Sequence, residues 1–179
     1  LTRKTFSSVL GQNYHELGMR LVYDVAHNIA KIEEHKVDGK KMKICVHRKG
    51  ATRAFPPGHV DVPEKYREVG QPVLVPGDMG RYSFLAVGTE KAMAETFGSA
   101  CHGAGRLRSR SSAKRELSSE NIASELKSKG IAFKVANRAS LVEEASQAYK
   151  DVADVIHIMD GAGISRSILK TRPLGVIKG

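Results

Sequence analysis

The alternation of apolar and polar positions is clearest around Asp38-Gly39. Ile32 to Val37 precede this pair, and Met42, Ile44 and Val46 follow it at period two, the spacing of a half-buried strand. Asp-Gly tolerates the positive φ that a tight type I′ turn needs at both central positions, so residues 29 to 47 are predicted as a hairpin. Upstream, Val22, Val25, Ala26, Ile29 and Ile32 fit helical as well as extended spacing; because the segment leads into the hairpin, strand is the expectation for the stretch carrying His27. From 50 to 80 the density of Pro and Gly predicts loop, broken only by a short strand at 73 to 75. A strand follows at 82 to 87, then a helix capped by Thr89 that ends at Gly98. Ser118 or Ser119 opens a helix closed by Gly130, ahead of a strand at 131 to 135. Ser140-Leu141-Val142-Glu143 reads as a capping box, and Val152, Val155, Ile156 and Met159 form the apolar stripe of a helix stopping at Gly161. Apolar residues among 167 to 179 predict a terminus tucked into the fold. The order of elements predicts an α+β protein with a mixed sheet, a β-hairpin and several short helices.

Composition narrows the class. A chain of 179 residues suits one domain, and 41% hydrophobic residues are enough for a core, which excludes wholesale disorder. No apolar run approaches a membrane span and the first residues do not resemble a signal peptide, so the expectation is a cytoplasmic chain with no membrane partner. Two cysteines, Cys45 and Cys101, exclude a disulfide framework, and no repeat indicates a solenoid. A formal net charge of +10 makes polyanions the first partners to consider.

Candidate chemistry concentrates in Gly98-Ser99-Ala100-Cys101-His102-Gly103-Ala104-Gly105-Arg106, followed by Arg108, Arg110, Lys114 and Arg115. A turn of small residues lets backbone N–H groups approach a phosphate, and the cations that follow would give this cradle a charged exit path. His102 inside that turn is a candidate nucleophile or metal ligand. The same residues also suit a plain helix-ending turn with a solvated basic face. His27, in Asp24-Val25-Ala26-His27-Asn28, reads either as a ligand or as a satisfied core histidine. A second basic turn, His47-Arg48-Lys49-Gly50-Ala51-Thr52-Arg53-Ala54, ends the hairpin, and Val75-Pro76-Gly77-Asp78-Met79-Gly80-Arg81-Tyr82-Ser83 offers backbone that can line a base or ribose, or merely connect two strands. Neither a Walker loop nor a Rossmann fingerprint is present.

Taken in order, the 24 to 28, 47 to 54, 76 to 80 and 101 to 106 segments resemble the RtcB family of RNA-splicing ligases. The resemblance covers nearly the whole chain, to Lys178-Gly179, and implies the RtcB-type fold. It implies a GTP- and Mn²⁺-dependent enzyme that joins RNA ending in a 3′-phosphate or 2′,3′-cyclic phosphate to 5′-hydroxyl RNA, in tRNA splicing or RNA repair. His102 would become guanylated. His27 would ligate manganese and Asn28 adjoin the nucleotide. Pro76, Gly77, Asp78, Met79 and Ser83 would line the guanosine, with His102, Gly103, Ala104 and Gly105 around its phosphate. Tyr149 would stack on guanine, Lys178 contact its edge, and Lys49, Arg106 and Arg110 meet RNA. The implied partners are tRNA halves or broken RNA ends and an archease-type activator. Asp78, Arg81 and Tyr82 depart from the family pattern. The family's N-terminal half supplies further metal and nucleotide ligands, so residues 1 to 179 are expected to be one C-terminal portion, inactive alone. The alternative is a non-catalytic basic RNA-binding fragment.

Overall fold

The computed structural model describes residues 1 to 178. Asp38 and Gly39 adopt φ of 48° and 81° and join β1 (Asn28–Val37) to β2 (Lys40–Lys49), paired in register from Val37–Lys40 to Asn28–Lys49. The hairpin forms as the sequence predicts, but its alternation is inverted. Ile32 is 71% exposed, whereas Glu33, His35 and Arg48 are buried. The reason is a polar network. Arg48 donates from both terminal nitrogens to Glu33, at 2.8 Å each, and also to Ser99 Oγ and the Phe97 carbonyl, while His35 Nε2 lies 3.0 Å from Glu33. Paired charges can occupy a face where unpaired ones could not.

The stretch before the hairpin corrects the strand expectation: residues 21 to 26 are irregular, and regular pairing begins only at Asn28, one residue past His27. The predicted loop over 50 to 80 also contains more than one strand. It holds β3 (Ala51–Arg53) and the short helix α2 (Glu64–Arg67) as well as β4 (Pro72–Val75). The partner of β3 is β6 (Ser99–Cys101), almost fifty residues away, a pairing no local pattern reveals. Between them, β5 (Ser83–Gly88) is central in a three-stranded antiparallel sheet with β4 and β8 (Ser165–Thr171). Near the C-terminus β7 (Ala132–Val135) pairs parallel with β9 (Gly175–Lys178). The described strands thus fall into four small sheets within the α+β class, rather than one mixed sheet. The terminus is only half tucked in, since Leu174 and Ile177 are exposed; Gly179, part of that expectation, lies outside the described residues.

An exposed helix, α1 (Thr2–Leu10), opens the chain and is not among the predicted elements. Thr89 caps α3 (Glu90–Thr96) by accepting from the Ala92 N–H, and Ser109 and Ser118 do the same for α4 (Arg110–Glu116) and α5 (Ser119–Ser128). The predicted capping box is displaced. Asn137 caps α6 (Arg138–Glu143), accepting from Ser140 N–H at 2.9 Å, because its side-chain oxygen is the one positioned before the first turn. Asp151 caps α7 (Val152–Gly161), the helix of the predicted apolar stripe. No helix among the described residues is long and apolar enough to cross a membrane.

Two core clusters follow. One gathers Val73, Val75, Ala86, Ala104, Val152 and Ile156; the other gathers Met79, Ile122, Leu126, Ile131, Leu141 and Ala148. Each fully buried valine contributes roughly 1.5–3 kcal/mol relative to exposure. Tyr149 packs against both clusters and so stands at their seam.

Candidate functional site

The β6 strand delivers His102 to the end of its pairing with β3, directly beside Gly50. Gly50 has φ of 65°, and a Cβ there would lie 3.3 Å from His102 Nε2. Its N–H donates to the His27 carbonyl at 2.8 Å, which folds the His27 segment onto the hairpin exit. The His27 and His102 rings stack, centroids 4.8 Å apart and planes 9° from parallel. Burial, together with the charge His27 can carry, pushes the His102 pKa below its ordinary value. The shift favours the neutral imidazole, the form with a lone pair to offer. Among the described residues neither ring is hydrogen-bonded. Cys101, next door, packs against the first core cluster, and burial pushes its thiol pKa up, so it is an inert neighbour.

The turn after His102 rests on the Pro76 segment. Ala104 N–H donates to the Pro76 carbonyl at 3.0 Å, with Gly103 directly above that oxygen. The 76 to 83 loop closes on itself: a Cβ on Gly77 would lie 2.0 Å from the Tyr82 carbonyl oxygen, and Gly77 N–H donates to Ser83 Oγ at 3.3 Å. The side chains of two predicted nucleotide residues are buried within the protein. The Met79 side chain is in the second core cluster. The Asp78 side chain is fully buried, accepting from Gly80 N–H, Ser146 Oγ and Arg81 Nε. Arg81 then donates to the carbonyls of Ser146, Tyr149 and Lys150 and pairs with Asp151 at 3.1 Å. Asp78 and Arg81 thus form a clamp between this loop and the 146 to 151 segment.

Beyond the turn, the Gly105 carbonyl accepts from Lys150 N–H, and Arg106 makes an antiparallel bridge with Tyr149. The Arg106 guanidinium lies 4.7 Å from the Tyr149 ring centroid and donates to its hydroxyl at 2.9 Å. That hydroxyl donates to Glu144 at 2.8 Å, and Lys178 donates to the same carboxylate at 3.1 Å. Burial alone would raise the Glu144 pKa, but the Tyr149 and Lys178 hydrogen bonds and the Lys178 and Arg106 charges hold it below the ordinary value.

Four of the cations after the turn are committed. Arg106 pairs with Glu144, Arg108 with Glu116, and Arg110 and Lys114 with Glu143. Lys49 is exposed at the hairpin exit, across from the equally exposed Asn28. Among the described residues no three His, Cys, Asp or Glu side chains converge as a metal site.

The sequence motifs therefore meet along one path: 27 against 50 and 102, 28 against 49, 103 and 104 against 76, 105 and 106 against 149, and 149 through Glu144 to 178. Sequence reasoning missed Glu144, the clamp role of Arg81 and the Glu33–Arg48 network, because an ordinary Glu or Arg carries no signal until its partners are known. Small-residue turns gathered beside an imidazole on an α+β frame are a class of site suited to phosphate chemistry.

Comparison with known proteins sharpens the class. The chain belongs to the tRNA-splicing ligase RtcB family, whose model matches residues 1–179. It is similar to the tRNA-splicing ligase RtcB of Archaeoglobus fulgidus, 60% identical over 177 residues, which are 99% of this chain and 37% of that protein. The corresponding proteins of Pyrococcus abyssi and Thermococcus kodakarensis are 54% and 52% identical, again over 99% of this chain, and 19% and 37% of their own lengths are covered. The chain thus spans little more than a third of these curated relatives at most.

Proposed function

We propose that this chain is the nucleotidyl-accepting portion of a GTP- and Mn²⁺-dependent RNA ligase, acting in the cytoplasm on tRNA halves or broken RNA. The reading is supported above all by the meeting of the family's four separated motifs around His102. In it, a His102 ring nitrogen attacks the α-phosphorus of GTP, forming an N–P bond as the P–O bond to pyrophosphate breaks. The guanylyl group then passes to an RNA 3′-phosphate, and a 5′-hydroxyl displaces GMP to make the new phosphodiester; a 2′,3′-cyclic end is hydrolysed first. Partial burial favours the unprotonated form of His102 for the attack, and the backbone of 103 to 105 surrounds the phosphate.

The guanosine falls to the Pro76, Gly77 and Ser83 side of the site and to Tyr149 and Lys178, with Asn28 at its margin. Asp78 and Met79 take part through their backbone and through the shape they give the loop. Lys49 and Arg110 are the proposed RNA contacts. Arg106 serves RNA less directly, since its guanidinium already holds Tyr149. His27 offers one manganese ligand, but one histidine does not fit a two-metal centre, which needs several converging donors. The remaining ligands are assigned to the rest of the ligase, of which this chain is the C-terminal portion, and the chain alone is inactive. An archease-type activator is a further expected partner.

The test is labelling with α-³²P-GTP and Mn²⁺. The isolated chain should take up no label, whereas the chain joined to the remaining portion of the Archaeoglobus fulgidus relative should. His102→Asn in the joined protein should reduce labelling by on the order of 10³-fold or more, the scale of losing a nucleophile. Equal labelling of parent and variant would refute the assignment.

A further inference from the structure

One carboxylate is shared by three side chains from well-separated parts of the chain. Glu144 Oε2 accepts from the Tyr149 hydroxyl at 2.8 Å and from Lys178 Nζ at 3.1 Å, while Oε1 faces Arg106 Nη1 at 3.7 Å. The group is itself well placed: it ends α6, its N–H donates to the Ser140 carbonyl, and its side chain is only 18% exposed. Arg106 adds a second tie by donating to the Tyr149 hydroxyl while lying against its ring. The Tyr149 ring and the Lys178 ammonium, which arrives on the terminal strand β9, are thereby held relative to each other by a residue that neither sequence motif nor family resemblance singled out.

We infer that Glu144 is a positioning residue for base selection, holding the Lys178 ammonium and the Tyr149 ring so that the site takes guanine in preference to adenine. The inference rests on the GTP reading above and specifies how the base is chosen. An ammonium only donates hydrogen bonds. The guanine edge presents two adjacent acceptors, O6 and N7, whereas adenine offers N7 beside an N6 donor that a fixed ammonium repels. A lysine free on its four-carbon stem could swing to satisfy N7 of either base or a phosphate. Held by a carboxylate, it discriminates. Tyr149 is treated likewise: its hydroxyl proton goes to Glu144, which fixes the ring rather than leaving it to turn. Supporting contacts of this kind set how accurately recognising groups are held.

The experiment uses the chain joined to the remaining portion of the Archaeoglobus fulgidus relative, with labelling by GTP and by ATP measured for the parent and for Glu144→Gln, which keeps the shape and removes the charge. The half-saturating GTP concentration should rise about 10-fold and the preference for GTP over ATP fall at least ~5-fold, since losing a placed polar partner costs discrimination. The labelling rate at saturating GTP should stay within about twofold, because Glu144 does not touch the reacting atoms. Unchanged half-saturation and preference overturn the inference, as does a loss confined to the saturating rate, which marks a merely structural residue. If Glu144→Gln shows no cooperative melting transition, Glu144→Asp is measured in its place. It keeps the charge but draws it back, and smaller shifts in the same two quantities are expected; none at all overturns the inference. A parent that takes no label from GTP overturns the GTP reading itself, and the positioning role with it. A labelled parent with an indifferent variant overturns the positioning role alone.

Discussion

At the scale of single residues, close approach decides more than charge. Gly77 is the sharpest case, because any Cβ would collide with backbone rather than with a side chain that can move aside. Gly77→Ala should open the 76 to 83 loop, lowering stability by roughly 1–3 kcal/mol, as overpacking typically does. Thermal melting checks that loss, and the GTP-labelling assay should show a matching rise in half-saturating GTP; an alanine variant with unchanged melting would show that the loop does not need its closure. Pro76-Gly77 was legible in the sequence because turn residues have restricted chemistry. Glu144 was not. A glutamate at a helix end looks the same whether it faces water or holds a tyrosine and a lysine, and only the tertiary arrangement separates the two. Asp78 and Met79 illustrate the same limit from the other side: the motif marks the loop as a segment but cannot tell its exposed side chains from those buried to build it.

At the scale of elements, the hairpin shows how pattern and packing can part. Asp38-Gly39 specified the turn, and the register followed. The buried face did not follow from hydropathy, since Glu33, His35 and Arg48 lie inward through bonds to Ser99 and Phe97, residues about fifty positions beyond Arg48. Arg48 thus ties the hairpin to the end of α3 and the start of β6, the strand that carries His102. Removing one partner of a buried pair leaves the other unpaired, so Arg48→Ala should destabilise by about 3–5 kcal/mol. A melting or denaturation midpoint close to the parent's would contradict this. The pH dependence has a definite sign. Burial raises the Glu33 pKa, but hydrogen bonds and charge from Arg48 and His35 outweigh it and hold the group below its ordinary value of 4.5. The Glu33 contribution to stability is therefore complete above pH 4.5 and lost as pH falls through the lower, folded-state value. Glu33→Gln should flatten the acid limb of a plot of melting temperature against pH. An acid limb as steep as the parent's would remove Glu33 from that role.

At the scale of the whole molecule, a net charge of +10 suggested polyanions, and the structure shows how that charge is spent locally. Much of the basic run after His102 is paired within the fold, by Glu116 at its own end and by Glu143 and Glu144, which are distant enough in sequence that the run looked free. Lys49 remains exposed. RNA binding by the joined protein should weaken as salt rises, and Lys49→Ala should reduce the log–log salt slope by about one, whereas Arg110→Ala, already paired with Glu143, should change it less. Equal slopes for both variants and the parent would argue against these contacts. The α+β class and the order of the motifs were readable along the chain; the division into four small sheets was not, because β3 with β6 and β7 with β9 are long-range pairings. What unites the scales is the path of contacts from His27 through His102 and Pro76 to Tyr149 and Lys178, and its central claim is that His102 is the group that accepts the nucleotide. Peptide mass spectrometry of the joined protein after incubation with GTP and Mn²⁺ tests that claim most directly. A guanylyl group on the peptide containing His102, absent from the His102→Asn variant, is the expected result; a guanylyl group on any other residue, with His102 unmodified, would contradict it.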